Sequence, residues 1–216
     1  MKYLLNIALV SALLLCACNK EEHIEFPLTL YPQKVSQVSD IRLFTNKQEI
    51  HDENIIKAFI DNNRKRFTGF DTIDFSSILD ILSNEKFSND SSSNIYFLSK
   101  DTALFGTMTS KFTVEKKDNQ FLFYSPLYVS THYHPSITKY TATELIPPNS
   151  YITREVRVGY GSYENIEICF LAYMKTSTYN IENARLLNEF NEDYINTLSL
   201  TDTLAIREYR IQFIAK

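Results

Sequence analysis

The chain has 216 residues and a formal net charge of −4. Hydrophobic residues make up 44% of it and charged residues 22%, which is the balance of a globular protein and excludes a disordered one. Because there is no excess of basic residues to neutralise phosphates, the composition argues against a nucleic-acid partner.

The N-terminal segment predicts export and lipidation. Lys2 precedes an apolar run from Tyr3 to Leu15, which suits the core of a signal peptide and is short for a membrane span. The next residues, Leu15-Cys16-Ala17-Cys18, resemble the lipobox of bacterial lipoproteins. The resemblance implies cleavage before Cys18 and acylation of its thiol. The alternatives are an uncleaved membrane anchor and an ordinary secretory peptide.

These features predict three segments. Residues 1–17 form the lipoprotein signal peptide, residues 18–38 a lipidated tether, and residues 39–216 a single β-rich domain. An alternating apolar pattern over residues 24–30 leaves open that part of the tether joins a sheet edge. Cleavage would remove Cys16 and lipid would occupy Cys18, so we expect no internal disulfide and an inert core thiol at Cys169.

Three further stretches resemble uncharacterised lipoproteins of Bacteroidota-type bacteria: residues 19–22, residues 40–47 and residues 202–209. The first, Asn19-Lys20-Glu21-Glu22, resembles their surface-export signal, although any solvated charged tether would read the same way. The resemblance implies a lipid-anchored protein of the outer membrane, and it leaves open whether the protein faces the periplasm or the cell surface. It implies no catalytic residues.

The mature chain is predicted to be α+β and mainly β. Helices are expected over residues 52–66, with Asp52 as the N-cap, and over residues 75–82 and 182–190. A period of two predicts strands at 41–45, 94–99, 103–108, 110–116, 120–125, 127–133, 137–144, 151–159, 164–174 and 204–214. Short turns favour antiparallel pairing. We expect an antiparallel sandwich or a lipocalin-like barrel, with one or two packed helices.

Two details of the strands are informative. Gly159-Tyr160-Gly161 is interpreted as a bend between strands. In the last strand, the apolar phase shifts near Glu208, which indicates either a bulge or a strand that is buried on both faces.

The residues that carry chemistry give weak signals. His132 and His134 have the i, i+2 spacing of two metal ligands on a strand, but no third ligand is nominated, so we predict neither a metal nor another cofactor. Glu155, Glu164 and Glu167 are carboxylates on or beside strands and do not by themselves indicate a glycosidase. No nucleophile, metalloprotease or phosphate-loop motif occurs in the sequence.

Exported proteins of Bacteroidota carry O-linked glycans at sites of the form Asp-Thr/Ser-apolar. Three places resemble such sites, which makes Thr72, Thr102 and Thr203 hypothetical glycosylation positions. A high density of tyrosines between residues 124 and 163 is compatible with a glycan- or protein-binding surface and with ordinary packing.

The sequence therefore predicts a membrane-anchored, surface-exposed lipoprotein that acts as a binding or structural module and is not an enzyme. Its partners would be the membrane, through the lipid, and an outer-membrane protein or a glycan. The alternatives are an extracellular hydrolase, whose site would gather carboxylates or histidines in one pocket, and a barrel that carries a small apolar ligand.

Overall fold

The computed structural model describes residues 24–67, 70, 94–106, 109–130, 136–146 and 150–216. Within them it has fourteen strands, one α-helix, α1 (Glu53–Asn63), and one 3-10 helix, η1 (Glu192–Thr197). The strands are β1 (Leu28–Val38), β2 (Arg42–Thr45), β3 (Gln48–Ile50), β4 (Ile95–Ser99), β5 (Thr102–Phe105), β6 (Phe112–Lys117), β7 (Gln120–Tyr124), β8 (Tyr128–Ser130), β9 (Ala142–Ile146), β10 (Ser150–Arg154), β11 (Val156–Ser162), β12 (Asn165–Thr176), β13 (Ile181–Leu186) and β14 (Thr203–Ala215).

Eight strands of the described chain close an antiparallel barrel. Their order around it is β1, β4, β5, β6, β7, β11, β12 and β14, and β14 pairs back with β1. Since each barrel strand follows the previous one in chain order, the topology is up-and-down. This confirms the prediction of an α+β, mainly β fold in its barrel version.

Aromatic side chains fill the interior of the barrel. Alternate residues of the strands point inwards, and among them Phe97, Phe112, Phe121 and Phe123 have no exposed surface. The ring centroid of Phe97 lies 6.1 Å from that of Phe121 and 5.9 Å from that of Phe123. An eight-stranded barrel is just wide enough for side chains to fill it, and these rings do so.

The two ends of the barrel differ. At one end, tight turns join β4 to β5, β6 to β7 and β11 to β12, and β1 also begins there. At the other end lie the longer connections, which hold β2, β3 and α1, then β8 to β10, then β13 and η1. Inserted elements therefore gather at the end towards which β1 runs.

A second layer extends the barrel at that end. Beyond the barrel, β12 and β14 continue side by side and are flanked by β13 on one side and by β2 and β3 on the other. One face of this extension packs on Ile60 of α1 and is continuous with the barrel core. The other face buries Phe44 and Ile206 against Phe190 and Tyr194, beside and within η1.

Helix α1 begins where the sequence predicts. Asp52 accepts hydrogen bonds through Oδ1 from the backbone nitrogens of Asn54, at 2.9 Å, and Ile55, at 3.4 Å. This N-cap satisfies donors that have no partner inside the helix. The helix ends at Asn63 and residues 64–66 form a turn, so it is shorter than expected. The helix predicted over residues 75–82 lies outside the described residues.

Three assignments from the sequence are wrong. Residues 28–38 are the first barrel strand rather than tether, so the domain begins about ten residues earlier than predicted. Residues 181–186 form strand β13 instead of a helix, because pairing with β12 overrides the local helical preference. Residues 137–141 precede β9 and form no strand.

The predicted bend at Gly159-Tyr160-Gly161 is also wrong, because these residues lie within β11. A Cβ atom at residue 159 would come within 2.8 Å of the side chains of Ile166 and Ile168, so glycine leaves room for the core. The phase shift near Glu208 reflects burial of the strand on both faces and not a bulge in it. The register between β12 and β14 is unbroken, and β14 is buried on both faces around Ala205.

We predict that Phe97→Ala lowers the free energy of unfolding by about 4 kcal/mol, because it removes a fully buried ring and leaves a cavity between other rings. Urea denaturation of the soluble domain measures the change. Leu98→Ala is the matched control, since Leu98 is the next residue on the outer face and is 39% exposed. A similar loss in both variants would contradict the assignment of the interior.

Candidate binding cleft

A cleft of about 510 Å³ opens at the end of the barrel that holds the insertions. Glu155 and Arg185 are charged residues in its wall. Clefts of this size with mainly apolar walls and a few polar groups are typical ligand sites. The apolar part of the wall consists of Phe112, Pro126, Leu127, Tyr128, Leu186 and Leu187.

A buried arginine lies beneath the cleft. The Arg157 side chain points into the barrel, is 3% exposed, and places its guanidinium 4.5 Å from the ring centroid of Phe105 and 4.7 Å from that of Phe112. Its Nε donates to Oε1 of Glu155 at 2.7 Å. The carboxylate and the two rings stabilise a charge that would otherwise be costly to bury. Glu155 is thus held at the cleft by an internal ion pair.

Exposed apolar residues continue from the cleft along β8. Leu127, Tyr128 and Val129 are 63%, 55% and 68% exposed. A single exposed apolar side chain is ordinary, but three in succession beside the cleft leave apolar surface on both faces of this segment, because successive strand residues point to opposite faces. We call these three residues the β8 patch. On the opposite wall, the guanidinium of Arg185 lies 5.2 Å from the ring centroid of Phe67.

A separate polar cluster lies on the outer wall of the barrel. The Glu189 carboxylate accepts from Nη2 of Arg210 at 2.8 Å and from Nζ of Lys139 at 3.1 Å. The Arg210 guanidinium also lies 4.7 Å from the ring centroid of Tyr160 and contacts the sulfur of Cys169. We call these five residues the Glu189 cluster.

The Glu189 cluster fastens residues 136–141 to the barrel. Lys139 belongs to this segment, and Nδ2 of Asn188 donates to the carbonyl oxygens of Tyr140, at 2.9 Å, and Val156, at 2.6 Å. Thr138 forms an antiparallel β-bridge with Phe190, which follows Glu189 in the chain. The segment leads into β9, so the cluster ties the β8–β10 insertion to the barrel wall.

The protonation states of the cluster suit a structural role. Burial alone would raise the pKa of Glu189, but hydrogen bonds from Lys139 and Tyr160 and the charges of Lys139 and Arg210 outweigh it, and the pKa is lowered. Burial raises the pKa of the Cys169 thiol far above its usual range, so the sulfur stays protonated. An ionised carboxylate that is held by two cations, beside a protonated thiol, is the arrangement of a structural ion pair.

The geometry gives no support to the hydrolase alternative within the described residues. The cleft contains one carboxylate, that of Glu155, and Glu164 and Glu167 do not line it. No group of three His, Cys, Asp or Glu side chains in this part of the chain has the arrangement of a metal site. The hydrolase remains an alternative prediction, because part of the chain lies outside the described residues.

The alternative that the barrel carries a small apolar ligand also remains open, but the filled interior of the described barrel leaves no space for that ligand there. The buried rings occupy the space where a lipocalin-like carrier would hold its ligand. A small apolar ligand would therefore need either the cleft or a displacement of those rings.

Four of the residues singled out in the sequence lie outside the described residues: Cys18, Thr72, His132 and His134. Thr102 and Thr203 begin β5 and β14 and are half-buried in their ladders. Glycosylation at these threonines and metal binding at the two histidines stay predictions.

The sequence reading missed Arg157 and Glu189. A charged residue between Val156 and Val158 reads as outward-facing, yet Arg157 pairs with inward-facing Phe123. The sequence did contain one indication that Arg157 faces inwards. Gly159 and Gly161 lie on the same face of β11 as Arg157, and two residues without side chains leave room inside the barrel for a long one.

Comparison of the chain with protein-family models, with curated proteins and with solved structures gives no match in any of the three. None of the helices in the described part of the chain has the length and hydropathy that a membrane span requires.

We predict that Glu189→Gln lowers the free energy of unfolding by about 2 kcal/mol at neutral pH, because it removes two charge-assisted hydrogen bonds. The folded-state pKa of Glu189 lies below its ordinary value of 4.5, so its contribution is present above that value and is lost as the pH falls below it. The difference between wild type and variant should therefore narrow in acid.

Urea denaturation at a series of pH values from neutral to acid measures this difference. Glu164→Gln is the control, since Glu164 is an exposed carboxylate at a turn. If the difference in the free energy of unfolding between wild type and Glu189→Gln stays constant as the pH falls, ionised Glu189 does not stabilise the fold.

Proposed function

We propose that the protein is a lipid-anchored binding module of the outer membrane, held there through Cys18, which takes an outer-membrane protein or a glycan at the cleft. The observation that carries the proposal is the cleft of about 510 Å³, whose wall is mainly apolar and which adjoins the exposed β8 patch. Its described wall is mainly apolar and includes one carboxylate, that of Glu155, which supports binding over hydrolysis.

The position of the cleft relative to the anchor supports the proposal. Strand β1 begins at the end of the barrel with the tight turns, whereas the cleft lies at the other end. Ten residues connect Cys18 to Leu28, and an extended chain of that length spans at most about 35 Å. An acylated Cys18 would keep the turn end near the lipid, with the cleft on the far side from the membrane.

We expect Cys18→Ala to abolish incorporation of labelled palmitate and to move the protein from the membrane fraction to the soluble fraction, because the thiol is the acyl acceptor. Metabolic labelling and fractionation measure both effects. Cys169→Ala is the matched control and should leave both unchanged. Equal labelling of the Cys18 variant would contradict the proposed anchor.

We expect a tagged full-length protein to isolate a reproducible outer-membrane protein or glycan from native membranes, and Leu127→Asp to abolish the capture, because it places a charge at the cleft. Mass spectrometry of proteins and glycans identifies the partner. Leu200→Asp is the matched control, since Leu200 is 70% exposed and lies outside the cleft.

Capture that persists in Leu127→Asp would place the binding surface elsewhere. Hydrolysis of a polysaccharide panel by the purified domain would replace the proposal with the hydrolase alternative.

A further inference from the structure

Among the described strands, the β8 patch lies at a sheet edge that has no further strand beside it. In the three-stranded sheet of the described insertion the order is β8, β10 and β9, so β8 has β10 on one side only. The backbone groups of alternate residues in a strand point to opposite sides. Part of the N–H and C=O groups of β8 therefore face away from β10, in the position where another strand would pair.

This edge is short, but it carries no charged residue that would prevent pairing. Edge strands are commonly protected by charged side chains. Two other described edges have them: Glu182 in β13 and Glu49 in β3. The sequence of residues 125–130 is Ser-Pro-Leu-Tyr-Val-Ser, which contains no charged residue, and its only proline precedes the strand.

We propose that an extended polypeptide segment of a partner protein adds to the free edge of β8 as a fourth strand of the β8-β10-β9 sheet. Its side chains cover the β8 patch, and those that face the cleft enter it beside Leu127 and Tyr128. This inference rests on the proposed binding function and specifies the chemistry of the partner. Strand addition gives affinity through main-chain hydrogen bonds and specificity through side-chain pockets.

The open edge favours a polypeptide over the other occupants. A glycan or a small apolar ligand has no repeating backbone of donors and acceptors to satisfy a strand edge. A second copy of the chain would pair through a strand of only three residues, which offers far less than the roughly 1,200 Å² that stable interfaces bury. A partner segment that also enters the cleft gains contacts that a second β8 would not.

The test uses a fluorescein-labelled peptide, acetyl-Lys-Thr-Val-Tyr-Val-Thr-Lys-amide, and the full chain in detergent. A second peptide has the same side chains but carries methyl groups on the three central backbone nitrogens, which removes donors from both of its edges. Fluorescence anisotropy should show saturable binding of the first peptide. The methylated peptide should bind at least about tenfold more weakly, because strand addition needs those donors.

Two variants locate the binding. Val129→Lys adds a charge to the β8 edge and should weaken binding of the first peptide by at least about tenfold. Ile181→Lys is the matched control at another edge strand, where Ile181 is 37% exposed, and should bind like the wild type. Circular dichroism and the thermal midpoint establish that both variants are folded; both residues are exposed, so folding is expected.

Several outcomes would overturn strand addition. These are equal binding of the two peptides, undiminished binding by Val129→Lys, or no saturable binding at millimolar peptide. A concentration-dependent dimer that Val129→Lys abolishes, seen by sedimentation, would identify a second copy as the occupant. If membranes still yield a partner that depends on Leu127, the binding module stands and only strand addition fails.

Discussion

The pairing of the last strand with the first holds the rest of the structure in place. Tyr209 of β14 pairs with Val38 of β1, and the same strand pairs along its length with β12. Without this closure the barrel would be an open sheet with two edges, and the phenylalanine interior would be exposed at the seam. Because β14 also continues into the extension, one strand connects the core, the second layer and the end that holds the cleft.

Closure also explains the division between the two ends of the barrel. Tight turns allow little variation, because the register of the strands fixes their geometry. The positive φ angle at Asp118 belongs to one of these constrained connections, the turn between β6 and β7. The opposite end is free to carry long insertions, and sites on a rigid scaffold are usually built from such segments. The cleft lies where the fold permits insertions, and the β8 patch belongs to one of them.

The sequence was informative where local signals and tertiary structure agree. Asp52, as an N-cap residue, predicted the start of α1, and alternating phenylalanines predicted barrel strands. It failed where tertiary contacts decide: residues 181–186 read as helical but pair with β12. Residues 28–38 contain Pro32 and polar side chains, yet barrel closure needs an eighth strand and recruits them with irregular register. The cleft was not predictable, because its walls come from segments distant in sequence.

The two carboxylates near the insertion show why charge alone does not mark a reactive site. Glu189 accepts from Lys139 and Arg210 and anchors a crossing segment, while Glu155 neutralises an arginine buried among rings. In both cases the carboxylate is committed to holding structure, which leaves apolar surface as the property available for recognition at the cleft. An uncharged apolar edge leaves backbone donors and acceptors open to pairing with another chain. The position of β8 beside the cleft, while the described edge strands β3 and β13 carry glutamates, is the arrangement from which strand addition is proposed.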